Sequence, residues 1–274
     1  MKNIWVPLSG QIAQQRKVET IANNIANANT AGFKKDQVAF REYLSAVDNP
    51  SSDIDIPNGE FSPDDFYRSR GAENAMVKVD GSYTDFEQGP LKPTGNHFDL
   101  ALHGKGFFEV LTPNGIRFTR NGNFTLNKDS ELVTAQGFKL LASMTPEQAS
   151  DPNANDIGAR IMKLPNGSKF SISKEGDLYT KDGKLGSISV VEFKDLHAIR
   201  KEGNSLFINN APENLVRSEI STSVNQGFIE GSNVNAVKEM SELIQAHRHF
   251  DNIQNAIKTY DSISSKIVND IAKF

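Results

Sequence analysis

Histidines, one adjacent carboxylate pair and a glycine-flanked lysine are the side chains of this 274-residue chain best suited to chemistry. His247 and His249 lie two positions apart in a helical pattern, so they point to different faces and cannot share a metal ion. His97, His103 and His197 are scattered. Asp64-Asp65 falls in a proline-rich stretch, where carboxylates ordinarily stay solvated. Gly104-Lys105-Gly106 is a lone GxG with no helix after it, and reads as a β-turn and not as a phosphate cradle. Neither GxxxxGK[ST] nor HExxH occurs. With no cysteine, disulfides, thiolate metal sites and cysteine nucleophiles are excluded. The residues thus predict a protein that is not an enzyme, with no catalytic, cofactor or metal site.

Amides take the place of reactive groups. Hydrophobic residues make up 37% of the chain and charged residues 23%; the remainder is rich in Asn, Gly, Ser and Thr, which suits a loop-rich β protein. Asn23, Asn24 and Asn27 line the polar side of an N-terminal helical pattern. Amides donate and accept without charge, so identical helices carrying them can pack side by side without repulsion. A net charge of -4, with no basic cluster beyond Lys34-Lys35, gives no electrostatic case for nucleic acid. No apolar run approaches the roughly 18 residues of a membrane span, which argues against direct membrane insertion. The first residues, MKNIWVPLSGQ, turn polar by Ser9 and lack the apolar stretch of a signal peptide. By themselves they suggest a cytoplasmic protein.

The elements that must position these residues follow from periodicity. Leu8, Ile12, Val18, Ile21, Ala22 and Ile25 form a broken apolar stripe from Pro7 to about Asn27. This predicts a helix about 30 Å long. Asn29-Thr30-Ala31-Gly32 should end it, since Asn and Gly tolerate the left-handed conformation. Val38–Leu44 is a short extended or helical piece. Asp48–Arg70 holds three prolines and reads as a loop, with a disordered connector and a partner-contacting arm carrying Phe61, Phe66 and Tyr67 both open. From Met76, short alternating runs separated by turn signals predict strands. Phe124–Gly137 aligns without gaps on Phe170–Gly183, each copy reading as a β-hairpin. Thr145–Asp156 is a loop, and Ile188–Phe193 and Ser205–Ile208 are further strands.

After Gly231, Asn233 or Asn235 can cap a helix. Met240, Leu243, His247, Phe250, Ile253, Ile257, Tyr260, Ser264, Ile267 and Ile271 then recur at spacings of three and four, with one slip at Ile253. This helix would run about 58 Å from Ala236 to the end. The expected fold is α+β: N- and C-terminal amphipathic helices pairing as a coiled coil, with a central, mostly β domain of hairpins. The segments are 1–44 (helix and turn), 45–75 (linker or arm), 76–225 (β domain) and 226–274 (C-terminal helix). Two stripes of unequal length cover each other only partly, which implies neighbouring chains. The expected assembly interface is Leu8, Ile12, Val18, Ile21, Asn24, Ile25 and Asn27 with Met240, Leu243, His247, Phe250, Ile253, Ile257, Tyr260, Ile267 and Ile271.

The run A-N-N-I-A-N-A-N-T-A-G-F-K at 22–34 resembles the N-terminal signature of bacterial flagellar rod and hook proteins. Gln88-Gly89-Pro90-Leu91, Thr94-Gly95-Asn96, Asp99–Leu102, Gly104–Phe108 and Thr119–Phe124 look like the family's central motif. Gln226–Asn235 looks like its lead-in to the C-terminal helix. The resemblance implies a structural subunit of the basal-body rod, with terminal helices forming an inner tube and the β domain outside. Implied partners are copies of itself, other rod proteins and the flagellar export apparatus, through which the chain leaves without cleavage. DFEQGPLKPTGNHFDLAL at 85–102 is closer to the proximal rod type than to the distal one, although the Asp48–Arg70 insertion departs from it. Distal rod or hook-type axial proteins are the alternative within the family. A cell-wall carbohydrate-binding β domain with helical anchors would need a groove with exposed aromatics and a carboxylate pair at glycosidase separation, and the β region has neither signal in sequence. A soluble coiled-coil dimer carrying a β domain is the third reading.

Overall fold

Helix α1 (Trp5–Ala26) tolerates Pro7 because its first turn needs no amide donor there. Helix α2 (Ala236–Ile271) runs for 36 residues without glycine or proline, about 54 Å of uninterrupted helix. These elements come from a computed structural model that describes residues 5–45, 74–143, 157–164, 170–217 and 220–271. The expected arm at 48–70, with Asp64-Asp65 and its aromatics, and the expected loop at 145–156 lie outside the described residues.

In chain order the first strands are β1 (Asp36–Ser45), β2 (Asn74–Thr84), β3 (Leu91–Pro93), β4 (Leu100–His103), β5 (Phe107–Thr112) and β6 (Gly115–Thr119). Next come β7 (Phe124–Leu126), β8 (Leu132–Thr134), β9 (Lys139–Leu140), β10 (Ser171–Ile172), β11 (Asp177–Thr180) and β12 (Gly183–Ser187). The last are β13 (Val190–Phe193), β14 (Ile199–Gly203), β15 (Leu206–Asn209), β16 (Leu215–Val216), β17 (Ser223–Gln226) and β18 (Phe228–Glu230). The architecture is α+β, two terminal helices with a multi-strand region between them.

The chain divides into two units. The first comprises Met1–Asn23, Gln37–Tyr83 and Val237–Phe274. Its two helices approach at Gly10, where an added Cβ would stand 3.8 Å from Ile253 Cδ1. Buried Ala13 on α1 and Ala246 on α2 mark further positions where small side chains face inward. Strand β1 pairs with β2 in a two-stranded sheet, and the Val77 amide donates to Ser9 Oγ at 3.1 Å.

The second unit comprises Asn24–Asp36 and Thr84–Ala236. Its largest sheet has the order β14-β15-β6-β5-β9-β8-β7, with β13 paired to both β5 and β16. Successive strand residues face opposite sides of a sheet. Phe108 therefore joins one buried cluster with Val110, Phe124, Leu132 and Leu140. Phe107 joins another, with Phe118, Val191, Phe193 and Phe207. Phe107 meets Phe193 and Phe207 edge-on, with centroids 5.3 and 5.5 Å away. The unit closes at its ends: β17 pairs with β4 and β18 with β3, joining residues 223–230 to residues 91–103.

Strand pairing decides one element left open by the sequence and sets the two ends of the β-rich unit. Val38–Leu44 is strand, because β2 supplies its hydrogen-bond partner. For the same reason β2, expected to open the β domain at residue 76, belongs to the other unit, and the β-rich unit resumes at Thr84. It runs past residue 225 to Ala236, since β18 needs β3. Both copies of the internal repeat form hairpins, β7–β8 and β10–β11, but in different sheets.

Candidate functional site

The turn after α1 is built for close approach. Gly32 has φ 65°, and a Cβ there would lie 2.3 Å from the Asn121 amide nitrogen, so a side chain is excluded twice over. Its own amide donates to the Glu230 carbonyl at 2.8 Å. This contact carries Lys34 into the interior of the β-rich unit. Lys34 Nζ donates to Glu230 Oε1 and to the Glu87 carbonyl, each at 2.6 Å. Gly89 N donates to the same Oε1 at 3.0 Å, and Arg120 Nη1 reaches Oε2 at 3.3 Å. Arg120 Nη2 donates to the Gly104 carbonyl at 2.7 Å, and the guanidinium lies 4.8 Å from the Phe107 ring centroid.

Lys34 and Glu230 are 0% exposed and Arg120 2%. Two cations share one carboxylate inside the protein. Burial pulls the Lys34 ammonium below the usual lysine range, against the upward pull of Glu230. The same desolvation lowers Arg120, opposed by Glu230. Such a cluster is costly to disrupt, because removing one member leaves an uncompensated buried charge. Its members come from three separated motifs: Lys34 from 22–34, Arg120 from 119–124 and Glu230 from 226–235.

A second buried carboxylate, Glu109 on β5, accepts from Arg217 at 2.7 and 2.9 Å and from Ser189 Oγ at 2.6 Å, and pairs with Arg160. Burial pushes the Glu109 carboxyl up, but Arg217, Ser189 and Arg160 together hold it below the usual carboxylate range. Sequence reasoning missed both clusters. Their only signal was a charged residue set among glycines and apolar neighbours, as in Phe228-Ile229-Glu230-Gly231, and that pattern does not name a partner.

The expected helix positions separate into three kinds. Ile21 and Asn24 are buried, and Leu8, Val18, Ile25, Asn27, Leu243, Phe250, Ile253 and Ile257 are half-buried. Ile12, Met240, His247, Tyr260 and Ile267 are exposed, and the side chain of Ile271 lies outside the description. The inward stripe on α2 is Glu239, Leu243, Ala246, Phe250, Ile253 and Ile257, a regular alternation of four and three with no slip. Within this chain Met240 and His247 are exposed, whereas Glu239 and Ala246 are buried. Asn24 is bound within the chain: its Nδ2 donates to the Asp36 carbonyl at 2.8 Å and its Oδ1 accepts the Asp36 amide at 3.0 Å. Asn233, expected as a possible helix cap, instead holds the Lys35 amide and the Asp85 and Glu87 carbonyls.

Among the described residues no group of three or more His, Cys, Asp or Glu could hold a metal, and no helix is long and apolar enough to cross a membrane. A cavity of about 520 Å³ is lined by Ser143, Lys174, Glu175, Asp177, Ser187, Ile188, Val190 and residues 220–223. No aromatic side chain among them could stack on a sugar.

A β-rich unit whose last strands pair with its first, in a chain bounded by two terminal helices, defines an α+β class of protein. Three family models match in order: "Flagella basal body rod protein" at 6–34, "Flagellar hook protein FlgE/F/G D1 domain" at 101–178, and "Flagellar basal body rod FlgEFG protein C-terminal" at 225–270. The flagellar basal-body rod protein FlgF of Caulobacter vibrioides is 31% identical over 273 residues, covering 98% of each chain. The FlgG of Borreliella burgdorferi is 30% identical over 277 residues, covering 96% of each. The FlgG of Caulobacter vibrioides is 30% identical over 275 residues, covering 96% of this chain and 97% of its own. The chain belongs to the flagellar basal-body rod protein family.

Proposed function

We propose that the protein is a non-enzymatic structural subunit of the flagellar basal-body rod, assembling through its terminal helices with copies of itself and other rod proteins. The observation that carries this reading, beside family membership, is the far end of α2. Beyond Ile257 every side chain described is exposed, including Tyr260, Ile263, Ile267 and Val268. An apolar face this long is unfavourable in water and is covered at low cost by a neighbouring helix. Contacts between different faces of identical chains that do not close into a ring extend into a filament. Passage through the flagellar export apparatus without a cleaved leader, and residence in the periplasm-spanning rod, belong to the same proposal. So does the proximal subtype, supported by the motif at 85–102.

Ile267→Asp tests the assembly seam. Ile267 is 53% exposed, so a carboxylate there leaves the isolated chain folded. In the assembled rod it would be buried without a partner, at several kcal/mol per interface. Secreted protein should persist while protein in purified basal bodies disappears; Lys266→Asp, one position away, should incorporate. Equal incorporation of both variants would remove the α2 face from the assembly interface.

A further inference from the structure

The chain passes between its two units at four places: 23/24, 36/37, 83/84 and 236/237. Within the β-rich unit, residues at or close to all four are tied into one hydrogen-bonded cluster. The Asn24 side chain spans the backbone of Asp36. The Asp36 carboxylate accepts from Thr84 Oγ1 and from Lys201 Nζ, both at 2.8 Å. Lys201 Nζ also donates to the Lys34 carbonyl at 2.5 Å and sits 4.0 Å from the Phe33 ring centroid. Asn233 Oδ1 accepts the Lys35 amide at 2.8 Å, while its Nδ2 donates to the Asp85 carbonyl at 2.9 Å and the Glu87 carbonyl at 3.2 Å. The Asp85 amide closes the circuit on the Lys35 carbonyl at 2.9 Å.

We propose that this cluster is a collar: a cooperative device that gathers the four chain ends of the β-rich unit, so that loosening one loosens all. Side-chain amides suit the task, since one Asn supplies a donor and an acceptor and so clamps two points at once. Residues 34–36 form its hub, bonded from Asn24, Thr84, Lys201, Asp85 and Asn233. In such a network each bond is strengthened by the rest. The collar goes beyond the structural-subunit reading and stands without it, because its test uses the isolated full-length chain.

The test is amide hydrogen exchange resolved residue by residue. Asn233→Ala removes the acceptor of the Lys35 amide. A collar predicts about tenfold or faster exchange there and also at Asp36, whose acceptor is Asn24, with β5 and β6 amides unchanged. Asn24→Ala should act in reverse, freeing Asp36 directly and Lys35 at a distance. Thr84→Val removes a single hydroxyl at nearly constant shape, and decides the matter if either alanine variant also exposes β5. It too should speed both Lys35 and Asp36. Acceleration confined to the amide whose own acceptor was removed, or no acceleration in any variant, overturns the proposal.

Discussion

Removing the Glu230 carboxylate leaves Lys34 and Arg120 together inside the β-rich unit with no anion between them. Glu230→Gln should therefore lower stability by about 3–5 kcal/mol in urea denaturation. Arg16→Gln breaks only the exposed Arg16–Glu19 pair and should change it by no more than about 0.5 kcal/mol. Glu109 has a lowered native pKa, so its contribution is present above the ordinary carboxylate range and is lost as pH falls through the lowered value. Stability measured from pH 7 downward should show this acid-dependent loss, and Glu109→Gln should be less stable at neutrality with a flatter acid limb. An unchanged acid limb would mean that other carboxylates carry it. At this scale the sequence was least legible. A buried ion pair is set by tertiary neighbours far along the chain, and the local pattern around Glu230 does not name them. On α2 the sequence did not show which positions the chain covers itself: Ala246, small and uninformative by type, is buried, while His247 beside it is exposed.

Among the elements, α1 holds one position that works against its own helix. Gly10 lies in the helix interior, and an added methyl would meet only Ile253 Cδ1 at ordinary van der Waals distance. Gly10→Ala should stabilise the helical unit by about 0.5–1 kcal/mol, through helix propensity and a less flexible unfolded chain. Circular dichroism at a helical wavelength would register this as a higher thermal midpoint. A lower one would mean that the helices have no room to spare where they approach. The elements themselves were largely readable. A 36-residue stretch without glycine or proline, carrying apolar residues at three and four, has few alternatives to helix, and turn residues marked off most strands. Strand β1 was ambiguous because a short apolar run fits both periodicities until a pairing partner is known.

For the molecule as a whole, the division into units follows hydrogen-bond partnership more closely than sequence order. Residues 24–36 were grouped with the N-terminal helix, yet the hydrogen-bond partners of Gly32 and Lys34, Glu230 and Glu87, lie in the β-rich unit. Limited proteolysis of the full-length chain should accordingly leave 84–236 for last, with early cuts toward the end of α2, where exposed side chains dominate. Early cleavage within β5 or β6, with an intact C-terminal helix, would contradict this order. Family membership was legible in the motifs. That three motifs so far apart meet at one buried carboxylate was not, because proximity in space is a property of the topology.

The pairing of β18 with β3 and of Lys34 with Glu230, 196 residues away, also dictates when the unit can be finished. A chain threaded through a narrow passage with its N-terminus leading would present β3, β4 and the Lys34 turn long before β17, β18 and Glu230. Until those arrive, the two early strands lack their late partners and the Lys34 ammonium has no carboxylate to meet. Closing a loop of that length is slow. With that order of emergence, the unit could close only once Glu230 had arrived, with helix α2 still to follow.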